Sequence, residues 1–199
     1  MLNNKTVNKR LEVTKGYIDA MCDKCSKINV VRVDLSYKKP YSDEIMLDDA
    51  NSEFNRMLNN RRSKPSIFKN QVGYIVKKEY TKDKGVHFHT VFFYDGQKVK
   101  NDVKKAMQIG KYWKEQITKN KGSYHNCNLN SDEIYGEKNA TGMLDHRDIE
   151  RREKLYEAVG YLCKDDHQDI TPVKSNQKDR AFVRGTMPKS KGKVGRPRV

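Results

Sequence analysis

Alternation of hydrophobic and polar positions predicts a sheet. In residues 29–37, three valine or leucine side chains alternate with arginine, aspartate and serine, as in a half-buried strand. Residues 71–80 and 86–94 are rich in β-branched and aromatic side chains, and the second segment is followed by the turn pair Asp95-Gly96. The short polar stretch 81–85 connects these two segments, so they are expected to form a β-hairpin.

Four other segments have apolar residues at helical spacing and are expected to be helices. These segments are residues 6–26, 48–62, 98–118 and 147–166. In the third of them, the spacing predicts that Val103, Met107, Ile109 and Trp113 point towards the core. Residues 120–141 are polar and rich in Asn and Gly, which indicates a loop containing one short strand.

The order of these elements predicts an α+β fold, a single domain with a central antiparallel sheet flanked by helices. Two short segments, 122–128 and 179–185, are the candidates for its remaining strands. We divide the chain into an N-terminal helical segment (1–28), the domain itself (29–186) and a basic, disordered C-terminal tail (187–199).

The composition indicates a polyanionic partner. The 199 residues contain 41 Lys and Arg against 26 Asp and Glu, a formal net charge of +15. The alternative is that this charge only keeps the protein soluble. An anionic membrane is compatible with the charge, but no long apolar segment or amphipathic anchor supports one, so no membrane partner is expected. No secretion signal precedes the first helix, and we expect a cytoplasmic protein whose four cysteines are reduced thiols.

Basic residues are concentrated at the C-terminal end. Residues 174–199 contain nine Lys and Arg, and Asp179 is the one acidic residue among them. The predicted DNA-binding residues are Arg184, Lys189, Lys191, Lys193, Arg196 and Arg198. The tetrapeptide 195–198 is similar to part of an AT-hook but lacks the preceding arginine, so nonspecific contact with phosphates is the favoured interpretation.

The second strand of the hairpin contains the motif His87-Phe88-His89. Because successive side chains of a strand point to opposite faces, both imidazoles project from the same face. The hairpin brings Glu79 near the height of His87, which gives three ligands with open coordination positions, suited to Mn²⁺ or Mg²⁺. The alternative is a surface strand with two unrelated histidines.

The last predicted helix places Tyr161 and Lys164 three residues apart, on one helical face. A tyrosine hydroxyl beside an ammonium group is a plausible attacking group for phosphoryl transfer, since the lysine favours the phenolate and neutralises phosphate charge. The alternative is an ordinary amphipathic packing pair. Tyr156 lies about 140° away around the helix, so it is not expected to share the site with Tyr161.

The strand His-hydrophobic-His, the upstream Glu79 and the helical Tyr161-x-x-Lys164 together resemble the HUH endonucleases, the single-strand nickases of rolling-circle replication, plasmid transfer and some transposition. More narrowly, the chain resembles the YagK/YfjJ C-terminal-domain family, which is similar to inovirus replication proteins. The resemblance extends from about Val30 to the C-terminus and includes the segments 30–37, 122–128 and 180–184.

The resemblance implies metal-dependent nicking and joining of single-stranded or locally melted DNA. His87, His89 and Glu79 would hold the metal, Tyr161 would form a covalent 5′-phosphotyrosine, and Lys164 would stabilise negative charge. The chain has no recognisable helicase extension, so a host helicase is a further expected partner. The alternative function is a noncatalytic DNA-binding protein of prophage origin on the same scaffold.

Overall fold

The computed structural model describes residues 4–164 and 170–188, and these form six α-helices and six β-strands. The helices are α1 (Asn4–Lys24), α2 (Leu47–Asn59), α3 (Pro65–Phe68), α4 (Asp102–Tyr112), α5 (Ser131–Tyr135) and α6 (Ile149–Cys163). The strands are β1 (Lys27–Tyr37), β2 (Gln71–Thr81), β3 (Gly85–Asp95), β4 (Gly122–Asn126), β5 (Gly142–Asp145) and β6 (Phe182–Arg184).

All six strands join one sheet, in which every pairing is antiparallel. The order is β4-β1-β3-β2-β6, and β5 pairs with the first residues of β1 on the same side as β4. The protein is therefore a mixed α/β single domain with an antiparallel sheet between helices, which confirms the predicted fold class.

Helices cover both faces of the sheet, and strand alternation decides which side chains meet them. In β3, Phe88 and Phe92 are buried against α2, α3 and α4. Val91 and Phe93 point the opposite way and are buried against α1 and α6. Because strand side chains alternate, odd-numbered residues of β3 lie on the α1/α6 face.

The predicted helices and strands are all present, with shifted ends. The third helix begins at Asp102 because the side chain of Asn101 accepts a 2.7 Å hydrogen bond from the amide of Lys104, and it continues into a π-helical turn, Trp113–Ile117. The prediction that Met107 points inward was wrong, since its side chain is 39% exposed. The elements α3, α5 and β5 were not predicted.

Candidate metal centre

Three residues of the β2–β3 hairpin come together on the α1/α6 face. Glu79, His87 and His89 each offer a ligand atom, and these atoms all lie within 4.8 Å of one another. Oε2 of Glu79 lies 3.0 Å from Nε2 of His89 and 3.4 Å from Nε2 of His87. Glu79 and His87 are almost fully buried, with 3% and 5% of their surface exposed. Among the described residues, this is the one group of three or more potential ligands that could hold a metal.

The hairpin register accounts for this convergence. Glu79 is the direct partner of His87 across the β2–β3 pairing, and Lys77 is the direct partner of His89. Directly opposed side chains of an antiparallel pair lie on the same face of the sheet. The four residues thus form a compact block on two neighbouring strands, and the predicted position of Glu79 at the height of His87 is confirmed.

Each histidine is oriented through its other ring nitrogen. Nδ1 of His87 lies 3.0 Å from the carbonyl oxygen of Gly85. Nδ1 of His89 lies 3.0 Å from Oδ1 of Asp34, its direct partner on β1. Both rings therefore present Nε2 towards Glu79. Metal-binding histidines are commonly oriented in this way by a backbone carbonyl or a carboxylate.

Lys77 adds a buried positive charge to the site. Its Nζ lies 2.8 Å from Oε1 of Glu79, and the side chains of Lys77 and Glu79 are 2% and 3% exposed. Burial alone would raise the pKa of Glu79. Hydrogen bonds from His87, His89 and Lys77 outweigh burial and hold the pKa of this carboxyl well below its usual range. Glu79 is therefore ionised at neutral pH, as a metal ligand must be.

His89 sits between two carboxylates. Burial would lower its pKa, but the contacts with Asp34 and Glu79 outweigh it and raise the pKa to about 9. A metal ion bound to Nε2 of His89 would take the place of the proton that this nitrogen carries towards Glu79. The site is therefore already organised to hold positive charge at Nε2.

The donor set fits a divalent metal ion that keeps open coordination positions. Two imidazole nitrogens and one carboxylate oxygen occupy three positions of a tetrahedral or octahedral ion and leave others for water or substrate. Because Lys77 engages Oε1 of Glu79, Oε2 is the oxygen that faces both histidines. The predicted ligands Glu79, His87 and His89 are thus brought together, and Mn²⁺ or Mg²⁺ remains the predicted ion.

The last turn of α6 packs on the same face of the sheet as this block. Cys163, the final residue of α6, is fully buried. Burial raises the pKa of its thiol, and the nearby positive charges of Arg10 and Lys77 act in the opposite direction. Because Lys77 and Glu79 lie on the same face of β2, the last turn of α6 packs on the face of the sheet that carries the metal ligands.

Tyr161 is in the last turn of α6, whereas Lys164 lies just past the helix as its extended C-cap residue, so the two do not share a helical face as predicted. The tyrosine is 64% exposed, and Lys164 is also exposed. Within residues 4–164 and 170–188, no hydrogen bond or ion pair joins either side chain to Glu79, His87 or His89. Tyr156, by contrast, is half-buried, and its hydroxyl donates a hydrogen bond to Asp19 of α1.

Of the predicted DNA-binding residues, Arg184 lies in β6, where its guanidinium lies 5.1 Å from the centre of the Tyr17 ring. The other five lie outside the described residues: Lys189, Lys191, Lys193, Arg196 and Arg198. Cys22 and Cys25, which have zinc-ligand spacing, are buried thiols in the core formed with α1.

Lys77 and Asp34 were missed by sequence reasoning. Each occupies a polar position in an alternating strand, which is typical of a solvent-facing residue. Alternation also places them on the same face as their cross-strand partner His89, and this was the signal available in the sequence. Using it required knowing that β1 pairs with β3 in this register.

The fold and this centre define a mixed α/β domain with a preorganised two-histidine, one-carboxylate cluster on a central hairpin. The chain belongs to the YagK/YfjJ C-terminal domain family, whose model matches residues 1–182. No curated protein and no solved structure matches the chain significantly. None of the described helices is both long and apolar enough to cross a membrane.

Proposed function

We propose that this protein is a metal-dependent nickase that cuts and rejoins single-stranded DNA through Tyr161, as in the HUH endonucleases and inovirus-type replication proteins that it resembles. The observation that carries the proposal is the cluster of Glu79, His87 and His89, in which both Nε2 atoms face the same carboxylate oxygen. The net charge of +15 favours a polyanionic substrate.

A divalent ion bound by these three residues would polarise the scissile phosphate and help to hold it in line. The hydroxyl oxygen of Tyr161 attacks phosphorus as its proton is lost to solvent. The bond from phosphorus to the 3′ oxygen breaks, and that oxygen takes up a proton to become a free 3′-hydroxyl. The 5′ phosphate stays on Tyr161 as a diester.

The covalent phosphotyrosine keeps the energy of the broken phosphodiester bond. Attack by a 3′-hydroxyl on the same phosphorus restores DNA and releases Tyr161 without a nucleotide cofactor. Lys164, which is exposed just past the end of the helix, stabilises the negative charge on the phosphate or on the phenolate oxygen. Unwinding of a duplex origin requires a second protein, for which a host helicase is the proposed partner.

The test is a nicking assay with labelled single-stranded DNA from the gene's own neighbourhood, in Mn²⁺ and in EDTA. We expect Mn²⁺-dependent cleavage and a covalent protein–DNA band. Both should be lost in Tyr161→Phe and retained in Tyr156→Phe, a matched variant in the same helix. The expected loss of rate is at least about 10³-fold, because removal of a covalent nucleophile has effects of this order.

The other outcomes separate the competing functions. Cleavage that survives Tyr161→Phe without an adduct would mean that water is the nucleophile and the protein is a hydrolytic phosphodiesterase. Binding of DNA with no cleavage in any metal would favour the noncatalytic DNA-binding protein. The observation that favours the noncatalytic function is the exposed position of Tyr161, which makes no described bond to the metal ligands.

A further inference from the structure

A groove of about 810 Å³ runs between the N-terminal half of α1 and the edge strand β6. Its cationic lining residues are Lys9, Arg10, Lys174, Arg180 and Arg184, and Asp179 is the acidic residue among those that line it. Lys9, Lys174 and Arg180 are solvent-exposed. The groove is thus a concave surface with a strong excess of positive charge, which concentrates anions.

The groove lies on the same face of the sheet as the metal centre, and its strand β6 is the neighbour of β2. Phe182 is the direct partner of Lys77 across the β2–β6 pairing, so both side chains lie on the α1/α6 face. The amide of Lys78 donates a 2.7 Å hydrogen bond to the carbonyl of Ala181. Since β6 is antiparallel to β2, the chain before Phe182, including Arg180, lies towards Glu79, and Arg184 lies at the far end.

The groove also borders the end of the helix that carries Tyr161. Nη1 of Arg10 donates a 3.0 Å hydrogen bond to the carbonyl of Cys163, and the guanidinium lies 5.5 Å from the centre of the Phe182 ring. One side chain of the groove wall therefore contacts both the last residue of α6 and the aromatic residue of β6. This contact joins the groove wall to the end of α6.

We propose that this groove binds the backbone of a single DNA strand on one side of the scissile phosphate, with Lys9, Lys174 and Arg180 contacting phosphates. A positively charged groove with an aromatic residue in its lining is the usual arrangement for single-strand binding, because phosphates contact the cations and a base can stack on the ring. The half-buried ring of Phe182 supplies that aromatic surface. The inference rests on the proposed nickase function and assigns the strand a path to its active centre.

The experiment compares two triple charge reversals in the full chain. Lys9→Glu/Lys174→Glu/Arg180→Glu changes the groove. Lys100→Glu/Lys104→Glu/Lys111→Glu changes three exposed lysines in and before α4, on the opposite face of the sheet. Each variant replaces three positive charges by three negative ones, so the change in net charge is identical. Circular dichroism checks that both variants are folded.

Binding of a fluorescein-labelled oligothymidylate is then measured by anisotropy at several salt concentrations. Each phosphate contact on a single strand contributes about 0.7 to the magnitude of the slope of log K against log salt. Loss of three contacts in the groove variant should therefore reduce the magnitude of this slope by about 2. Its Kd should rise at least about 10-fold more than that of the α4 variant. Nicking at subsaturating DNA should fall in parallel, and an excess of DNA should restore it.

Equal losses of binding in the two variants would overturn the groove as the strand's path, even if the wild-type protein nicks DNA through Tyr161. Failure of the wild-type protein to bind the oligonucleotide would overturn it as well. A wild-type protein that binds through the groove but forms no adduct with any DNA would instead reject the nickase and leave the groove as a binding site.

Discussion

Glu79 is the residue on which the metal centre depends, because three side chains share its carboxylate. Lys77 bonds to Oε1, whereas His87 and His89 face Oε2. This division fixes the carboxylate in one orientation, so a metal ion would find its oxygen ligand already directed at both imidazoles. When no metal is bound, the buried Lys77 also compensates the negative charge of the desolvated Glu79 carboxylate.

Replacement of Lys77 by Met should therefore destabilise the protein by about 3 kcal/mol, because removal of one partner of a buried ion pair leaves the charge of the other less compensated. The two histidines still contact Glu79, so the loss should lie at the lower end of the usual range. Urea unfolding followed by circular dichroism in EDTA measures it.

Lys78→Met is the matched control. Lys78 is the next residue of β2, points to the other face and donates a 2.6 Å hydrogen bond to Asn51. Loss of one partly buried hydrogen bond should cost about 1 kcal/mol. Similar losses in the two variants would show that the ion pair of Lys77 with Glu79 makes no special contribution to stability.

The ligand residues could be predicted from sequence, whereas their supporting residues could not. His87 and His89 share a face by strand alternation alone, and the short hairpin connection places Glu79 opposite His87. The position of Lys77 inside the sheet depends on its pairing with β6, which lies about a hundred residues away in the chain. No local pattern in β2 contains that information.

At the scale of elements, the β2–β3 hairpin is the unit that builds the centre. All three metal ligands lie within it. Its second strand begins at Gly85, whose φ is +64°. This backbone conformation suits glycine, and a Cβ atom there would lie 2.3 Å from the carbonyl oxygen of Ser42. The carbonyl of Gly85 also orients His87 through Nδ1.

Gly85→Ala should therefore lower both stability and metal affinity. The strained φ alone costs about 1 kcal/mol, and the contact with Ser42 forces a backbone shift that adds to this. The same shift moves the carbonyl that holds His87, so Mn²⁺ affinity should fall about 10-fold or more, as is usual when an outer partner of a metal ligand is lost. Urea unfolding and Mn²⁺ titration by calorimetry measure the two effects.

Gly136→Ala separates strain from steric contact. Gly136 has φ +51°, but a Cβ atom added there meets nothing within 4 Å. This variant should show only the conformational cost, with unchanged Mn²⁺ affinity. If Gly85→Ala binds Mn²⁺ as tightly as Gly136→Ala, the carbonyl of Gly85 does not position His87 for the metal.

Long elements with strong periodicity were predicted well, and short ones were missed. The hairpin and four helices are identified by alternation or by helical spacing over ten or more residues. The missed strand β5 has four residues and exists because it pairs with the start of β1, a contact that spans more than a hundred residues. Met107 was placed inward by spacing alone, but Ala106, Ile109 and Gly110 form the buried side of α4.

At the scale of the molecule, the sheet separates two chemically different layers. The α2/α3/α4 side is a continuous apolar core with Trp113 and Phe88 at its centre. The α1/α6 side has an apolar core at one end and the charged block of Glu79, Lys77 and His89 at the other. Of the three ligands in this block, His89 has the most exposed side chain, at 22%.

Strand order could not have been derived from the sequence. β1 lies between β3 and β4, and β6 completes the edge beside β2, so neighbours in the sheet come from distant parts of the chain. This order brings Asp34 beside His89 and Phe182 beside Lys77. Both the orientation of the metal ligands and the position of the basic groove therefore follow from long-range pairing, for which local periodicity carries no signal.

Because the ligands are positioned by the folded sheet, metal binding should stabilise the whole protein. An ion that binds only the native state adds about 2.7 kcal/mol at a concentration of 100 times its Kd. For a chain of this size, we expect Mn²⁺ to raise Tm by about 5–10 °C, because each kcal/mol shifts Tm by about 2–4 °C. EDTA should reverse the shift, as measured by differential scanning calorimetry.

His89→Ala should abolish this rise in Tm, and His125→Ala should retain it. His125 is an exposed histidine of β4 that lies outside the three-ligand cluster, so it controls for nonspecific binding of Mn²⁺ to histidine. A rise that persists in His89→Ala would place the ion elsewhere on the protein. It would also remove the metal from the proposed nicking reaction, since Glu79, His87 and His89 would then have no ion to hold.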